Sequence, residues 1–117
     1  MHLSEIHFDE STPITGYGPG FFRVGAQIHR GPMLVLAQRV IPWGGLADAA
    51  CLLNAAHDLD VLFIGMGADV APLPMALRKA LESGGLRPDP MATPAACRTY
   101  NVLLSEGRRV GAALLPV

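Results

Sequence analysis

Two apolar runs without alternation constrain this fold most: Val61-Leu62-Phe63-Ile64, closed by Gly65-Met66-Gly67, and the final stretch Val110 to Val117. A strand that alternates apolar and polar residues buries one face, whereas a run apolar at every position needs cover on both. The two runs are therefore expected as neighbouring or near-neighbouring buried strands, Val61 to Ile64 being a central one.

The cover comes from segments of helical spacing. Leu46 to His57 is rich in Ala and Leu, with Leu46, Ala49, Ala50 and Leu53 recurring on one face. Leu73 to Ser83 carries a stripe of Leu73, Ala76, Leu77, Ala80 and Leu81, and Gly84-Gly85 ends it. Thr93-Pro94 offers a hydroxyl cap and a first-turn proline for a third helix running to about Glu106. Before Trp43 the texture differs. From Pro13 onward, short pieces such as Phe21 to Val24 and Met33 to Leu36 are separated by Gly and Pro, which predicts hairpins or a meander. Alternation of strand and helix on this scale gives an α/β domain whose helices pack on a mostly buried sheet.

With 117 residues the chain is long enough for one domain, 1–117, and too short for two ordinary ones. Half the residues are hydrophobic and 16% are charged, a globular composition. The formal net charge of -1 provides no basic field for nucleic acid. Mean hydropathy is +0.33, yet the apolar stretches break before the roughly 18 residues that a spanning helix needs. Glu5, Asp9 and Glu10 near the start fit neither a secretory nor an organelle signal, which points to the cytoplasm. Cys51 and Cys97 stand far apart and in no CxxC pair, so two free thiols are expected.

The densest polar constellation lies in Thr93 to Arg109, which takes in the third helix. Helical spacing puts Arg98, Asn101 and Ser105 on one stripe, with Ala96, Tyr100 and Leu103 roughly opposite. A guanidinium fork beside an amide could hold a carboxylate, a phosphate or a partner's backbone. The plainer reading is a solvated face on which Arg98 or Arg109 pairs with Glu106. Gly65 and Gly67 follow a strand and precede a helix, but a dinucleotide loop would need glycine where Val70 stands. The match fails, and a tight exit from a buried strand explains them better. Gly16-Tyr17-Gly18-Pro19-Gly20 reads as a turn between strands, because Pro19 lacks the N–H that a phosphate cradle would use. His2, His7, His29 and His57 show no ligand spacing, so no metal is expected. No GxSxG elbow or GxxxxGK[ST] loop is present, and no cofactor is expected.

Three segments in this order carry a family resemblance: Gly16 to Val24, Ile64 to Gly67, and Cys97 to Val110 with its Arg98-Thr99-Tyr100-Asn101 core. They resemble the small Mth-type α/β domains, which include a mitochondrial respiratory complex I assembly factor, an adipogenesis-associated member and many uncharacterised bacterial proteins. The resemblance implies a three-layer domain around a central mixed β-sheet. It implies binding to a protein partner, such as a membrane-bound complex under assembly, and no established catalysis. Such proteins often read Met-Asp-Thr before the third helix, where this chain has Met91-Ala92-Thr93, which weakens any proposal of a general base there.

Two functions therefore compete. One is a non-enzymatic binding or assembly protein. The other is a small-molecule-binding domain or unrecognised enzyme using Arg98, Asn101, Ser105, Glu106, Arg109, Gly65 and Gly67. A third, weaker reading makes Met1 to Ser11 a flexible arm on a self-associating domain.

Overall fold

The computed structural model describes residues 5–117. Nine strands and three α-helices are found among them: β1 (Ile6–His7), β2 (Ile14–Gly18), β3 (Phe21–Val24), β4 (Gln27–Arg30), β5 (Met33–Leu36), β6 (Arg39–Pro42), α1 (Ala49–Asn54), β7 (Val61–Met66), α2 (Met75–Ser83), β8 (Pro88–Met91), α3 (Thr93–Ser105) and β9 (Val110–Leu115). Six strands form a mixed sheet in the order β1-β6-β5-β9-β7-β8, and β2-β3-β4 form a separate antiparallel sheet. The resulting three-layer α/β domain is the architecture expected from the sequence.

The two apolar runs are adjacent. β7 and β9 pair in parallel from Val61↔Val110 to Met66↔Leu115. On β7, Leu62 and Ile64 face one core while Phe63 faces the other; on β9, Ala113 and Ala112 divide in the same way. β7 lies one strand in from the edge, flanked by β8 and β9, and β5 and β9 take the middle.

Connectivity explains why both faces are covered. β7 passes through α2 outward to β8, and β8 passes through α3 back across β7 to β9. Parallel crossovers share one hand, so two that run in opposite directions place their helices on opposite faces. Leu77 and Leu81 of α2 accordingly join Leu52 of α1, Leu62 and Ile64. Ala96, Cys97 and Tyr100 of α3 join Phe63, together with Ile14, Phe22 and Val24 of the small sheet. The third layer thus combines α3 with the meander.

Several boundaries differ from the sequence reading. The helix expected over Leu46 to His57 is broken into a 3-10 turn at Gly45–Ala47, α1, and a second 3-10 turn at Ala56–Asp58. Asp48 causes the first break: its backbone is non-helical, and its carboxylate accepts from the N–H groups of Gly44 (2.9 Å) and Cys51 (3.1 Å). α2 begins at Met75 because Pro72 and Pro74 hold the preceding backbone out of the helical region, although Leu73 is still buried. Gly16 to Gly18 belong to β2, leaving Pro19-Gly20 as the turn, with Gly20 at φ +78°. The proposed N-terminal arm is tied down where it is described: β1 pairs with β6, and the N–H of Phe8 bonds to the carbonyl of Gln38. Residues 1–4, His2 among them, lie outside the described residues.

Candidate functional site

Thr93 opens α3 without capping it. Ala92 occupies the N-cap in extended conformation and no side chain caps the helix, whereas Pro94 sits in the first turn as expected. The Thr93 hydroxyl turns inward: it accepts from the Gly67 N–H (2.9 Å) and donates to the Leu115 carbonyl (2.7 Å), while the Thr93 N–H bonds to the Gly67 carbonyl (2.8 Å). These bonds fasten the ends of β7 and β9 to the start of α3. Gly65 and Gly67 answer to this junction. A Cβ on Gly65 would lie 2.6 Å from the Thr93 hydroxyl and 3.0 Å from its Cα, and Gly67 has φ +96°. The Gly67 N–H that a phosphate would need is already engaged.

Farther along α3 the polar stripe divides. The Asn101 amide forms a two-point bond with the Ile14 backbone: Oδ1 accepts from the N–H (2.9 Å) and Nδ2 donates to the carbonyl (2.7 Å). Asn101 thus stands in for a neighbouring strand along β2 and joins the meander to the helix. Arg98, Val102 and Ser105 face solvent, Val102 being 56% exposed. The Ser105 hydroxyl donates back to the Val102 carbonyl (2.6 Å). The outward line is therefore Arg98, Val102 and Ser105, with Asn101 on its inner border.

Glu106 ends the helix, exposed, and no ion pair among the described residues joins it to Arg98 or Arg109. Arg109 reaches Asp60 instead, through Nη2 to Oδ1 (2.8 Å) and Nε to Oδ2 (3.2 Å), and donates from Nη1 to the His57 carbonyl (3.0 Å). These bonds hold the Asp60 carboxyl below its ordinary range and raise Arg109 in turn. The local pairing expected for Arg109 is replaced because the strand connection before β7 brings a better-placed acid.

Arg109 also borders a groove of about 460 Å³ at the end of the sheet where β9 begins. Phe8, Leu36, Leu59, Leu104 and Val110 supply its apolar surface, and Arg39, Arg108 and Asp58 its polar one. Arg39 bonds to Asp58 at 2.8 Å and contacts Glu5 at 3.5 Å. Neither Ile14 nor Asp60 was marked in the sequence reading as a partner of the stripe; both contacts join distant segments, 87 residues apart for Ile14 and 49 for Asp60. Arg39, Asp58 and the groove carried no motif.

Both thiols are free, Cys97 buried and Cys51 half-buried. Burial pushes each up to about 11, Asp48 adding to the effect at Cys51, so both stay protonated and weakly nucleophilic at neutral pH. Tyr100 is fully buried, and its hydroxyl has no partner among the described residues. Among the described residues no three His, Cys, Asp or Glu side chains gather as a metal ion would require. No helix among them is long and apolar enough to cross a membrane.

Known proteins place this geometry. An uncharacterized protein of Rhodobacter capsulatus is 54% identical over 117 residues, covering all of this chain and 94% of its own length. NADH dehydrogenase [ubiquinone] 1 alpha subcomplex assembly factor 3 of Danio rerio is 29% identical over 90% of this chain, which spans only 64% of that protein. A crystal structure described as an outer membrane protein from Bartonella henselae superposes with a TM-score of 0.82 at 37% identity, covering 95% of this chain and 99% of that one. The solution structure of a Mth938-like domain from Bordetella pertussis superposes at 0.75 with 28% identity, covering 99% and 92%. The Mth-type resemblance is thus supported by sequence and by fold. Residues 14–115 match the family described as protein of unknown function (DUF498/DUF598), and the chain belongs to that family.

Proposed function

We propose that this chain is a non-enzymatic binding or assembly protein that recognises a protein partner through the exposed face of α3, at Arg98, Val102, Ser105 and Glu106. The division of the polar stripe carries the reading. Asn101, Arg109 and the Gly65-Gly67 exit are committed to backbone and ion-pair contacts within the fold, and the outward groups supply a forked donor, an apolar contact and an acid. Such groups hold a surface in place, whereas proton transfer would call for a tuned acid or base beside them. The distant similarity to the complex I assembly factor supports a client that is a membrane-bound respiratory complex, met from its cytoplasmic side.

A photo-crosslinking residue in place of Val102, expressed in the native cell, tests this. Reproducible capture of a protein partner that Arg98→Ala weakens is the expected result. Capture of nothing, or capture indifferent to Arg98, overturns it.

The groove beside Arg109 favours a second reading. Its apolar surface with Arg108, which joins no ion pair among the described residues, suits a small apolar acid. Decanoate titrated into labelled protein would shift the Leu104 and Val110 methyl signals on that reading and leave them unmoved otherwise.

A further inference from the structure

β4 is an open edge of the small sheet, and its geometry specifies what could pair with it. A two-residue turn joins β3 to β4, with Gly25 at φ +60° and Ala26 at negative φ, as in a type II′ hairpin. In such a hairpin the residues flanking the turn exchange both backbone bonds, and the pattern then alternates. Val24 with Gln27 and Phe22 with His29 are therefore the bonded pairs of the register. The N–H and C=O groups of Ile28 and Arg30 point the other way, out of the sheet.

The other edges are broken or partly covered. β8 carries Pro88 and Pro90, β1 has two residues, and β2 is closed at Ile14 by the Asn101 amide. β4 has no such cover, and Ile28 is 52% exposed.

The same residues present their side chains on the outer face, opposite Phe22 and His29. Arg23 pairs with Ile28 there, and Phe21 with Arg30. Gly18 lets the Phe21 side chain lie back over β2, since a Cβ there would stand 2.5 Å from the ring, and the Arg23 guanidinium lies over Gly16 at ordinary contact distance. Ile28 and Arg30 are left at the border of the open edge. No acid answers these arginines, because residues 11–47 contain neither Asp nor Glu and no ion pair among the described residues uses Arg23 or Arg30.

We infer that β4 accepts an extended acidic segment of a partner protein as a fourth, antiparallel strand. This rests on the reading of the chain as a protein-binding module and adds a second surface, since across this layer β4 lies beyond β2 and β3 from α3. Directly opposed residues share a face, so the added strand places one side chain beside Arg30 and, two residues later, one beside Ile28. The segment reads Asp or Glu, any residue, then a branched apolar residue. A second copy of β4 does not qualify, because Gln27-Ile28-His29-Arg30 offers no acid.

Panning a displayed library of random peptides against the full chain tests the inference without knowledge of the natural partner. Enriched peptides carry the acid two positions before the apolar residue and shift the backbone amide signals of Ile28 and Arg30. Ile28→Pro removes an outward N–H and leaves the ladder to β3 intact, so retention of the pool falls by about tenfold or more. Arg30→Glu, which leaves the backbone unaltered, turns the preference toward basic peptides; melting temperatures confirm that both variants are folded. No enrichment, or enrichment indifferent to both variants, overturns the inference. So does capture by phosphatidylglycerol vesicles that depends on Arg23 and Arg30 but not on Ile28→Pro, which would make the face a membrane contact. If panning fails while crosslinking from Val102 succeeds, the edge is wrong and the binding reading stands.

Discussion

In the main sheet, β5, β9 and β7 lie between two layers, and each strand sends residues into both cores. In the meander, only one face is buried, through Ile14, Phe22, Val24 and His29, and the junction to α3 includes the Asn101 amide. The contrast shows why an amide stands at Asn101 on the face of α3 toward the meander. A sheet covered on both faces is secured by area and ladder bonds, whereas a three-stranded sheet lying beside a helix has a free edge to satisfy. One amide at the right height does that at Ile14.

Four substitutions or titrations probe the contrast, in decreasing order of effect. Leu81→Ala in α2, fully buried against the main sheet, should cost about 2–5 kcal/mol in a denaturant titration. A loss under about 0.5 kcal/mol would place α2 off the core. Asn101→Ala leaves a buried N–H and C=O of Ile14 without their partner and should cost about 1–3 kcal/mol. If it costs as much as Leu81→Ala, the meander is integral to the main core and the contrast weakens.

The third probe is pH. His29 is buried in the meander, its Nε2 has no partner among the described residues, and burial lowers its pKa from 6.5. The unfolded chain then takes up a proton at 6.5 that the folded chain accepts only at lower pH. Stability must fall as pH drops below 6.5 and level off beneath the folded pKa. His29→Phe should flatten that slope; an unchanged slope would assign it to other groups. The smallest effect is expected at exposed Arg98, where Arg98→Ala should change stability by no more than about 0.5 kcal/mol. A larger loss would make Arg98 an anchor like Asn101.

Much of the main sheet was legible in the sequence, because an unalternated apolar run such as Val61 to Ile64 admits few placements and the stripe of Leu77 and Leu81 fixes the face of α2. The meander was legible as hairpins, but its separation from the main sheet was not read: Met33 to Leu36 is apolar at every position whereas Arg23 interrupts Phe21 to Val24, and that difference matches the pairing of the former with β9. The polar stripe was found as a constellation, and its spacing could not show which groups face inward. Asn101 and Arg98 differ by three positions, and what separates their roles is Ile14, far away in the chain. Thr93 shows the same limit. A threonine before a proline signals a cap, yet the carbonyl of Leu115 and the N–H of Gly67 claimed its hydroxyl.

Asn101 holds the meander to α3, while Arg98 beside it stays exposed. Native-state hydrogen exchange at the Ile14 amide tests this most directly. In the parent chain the Ile14 N–H should be protected. In Asn101→Ala its protection should collapse while the amides of β7 and β9 keep theirs, and in Arg98→Ala nothing should change. Protection of Ile14 that survives Asn101→Ala, or disappears in Arg98→Ala, would contradict the account.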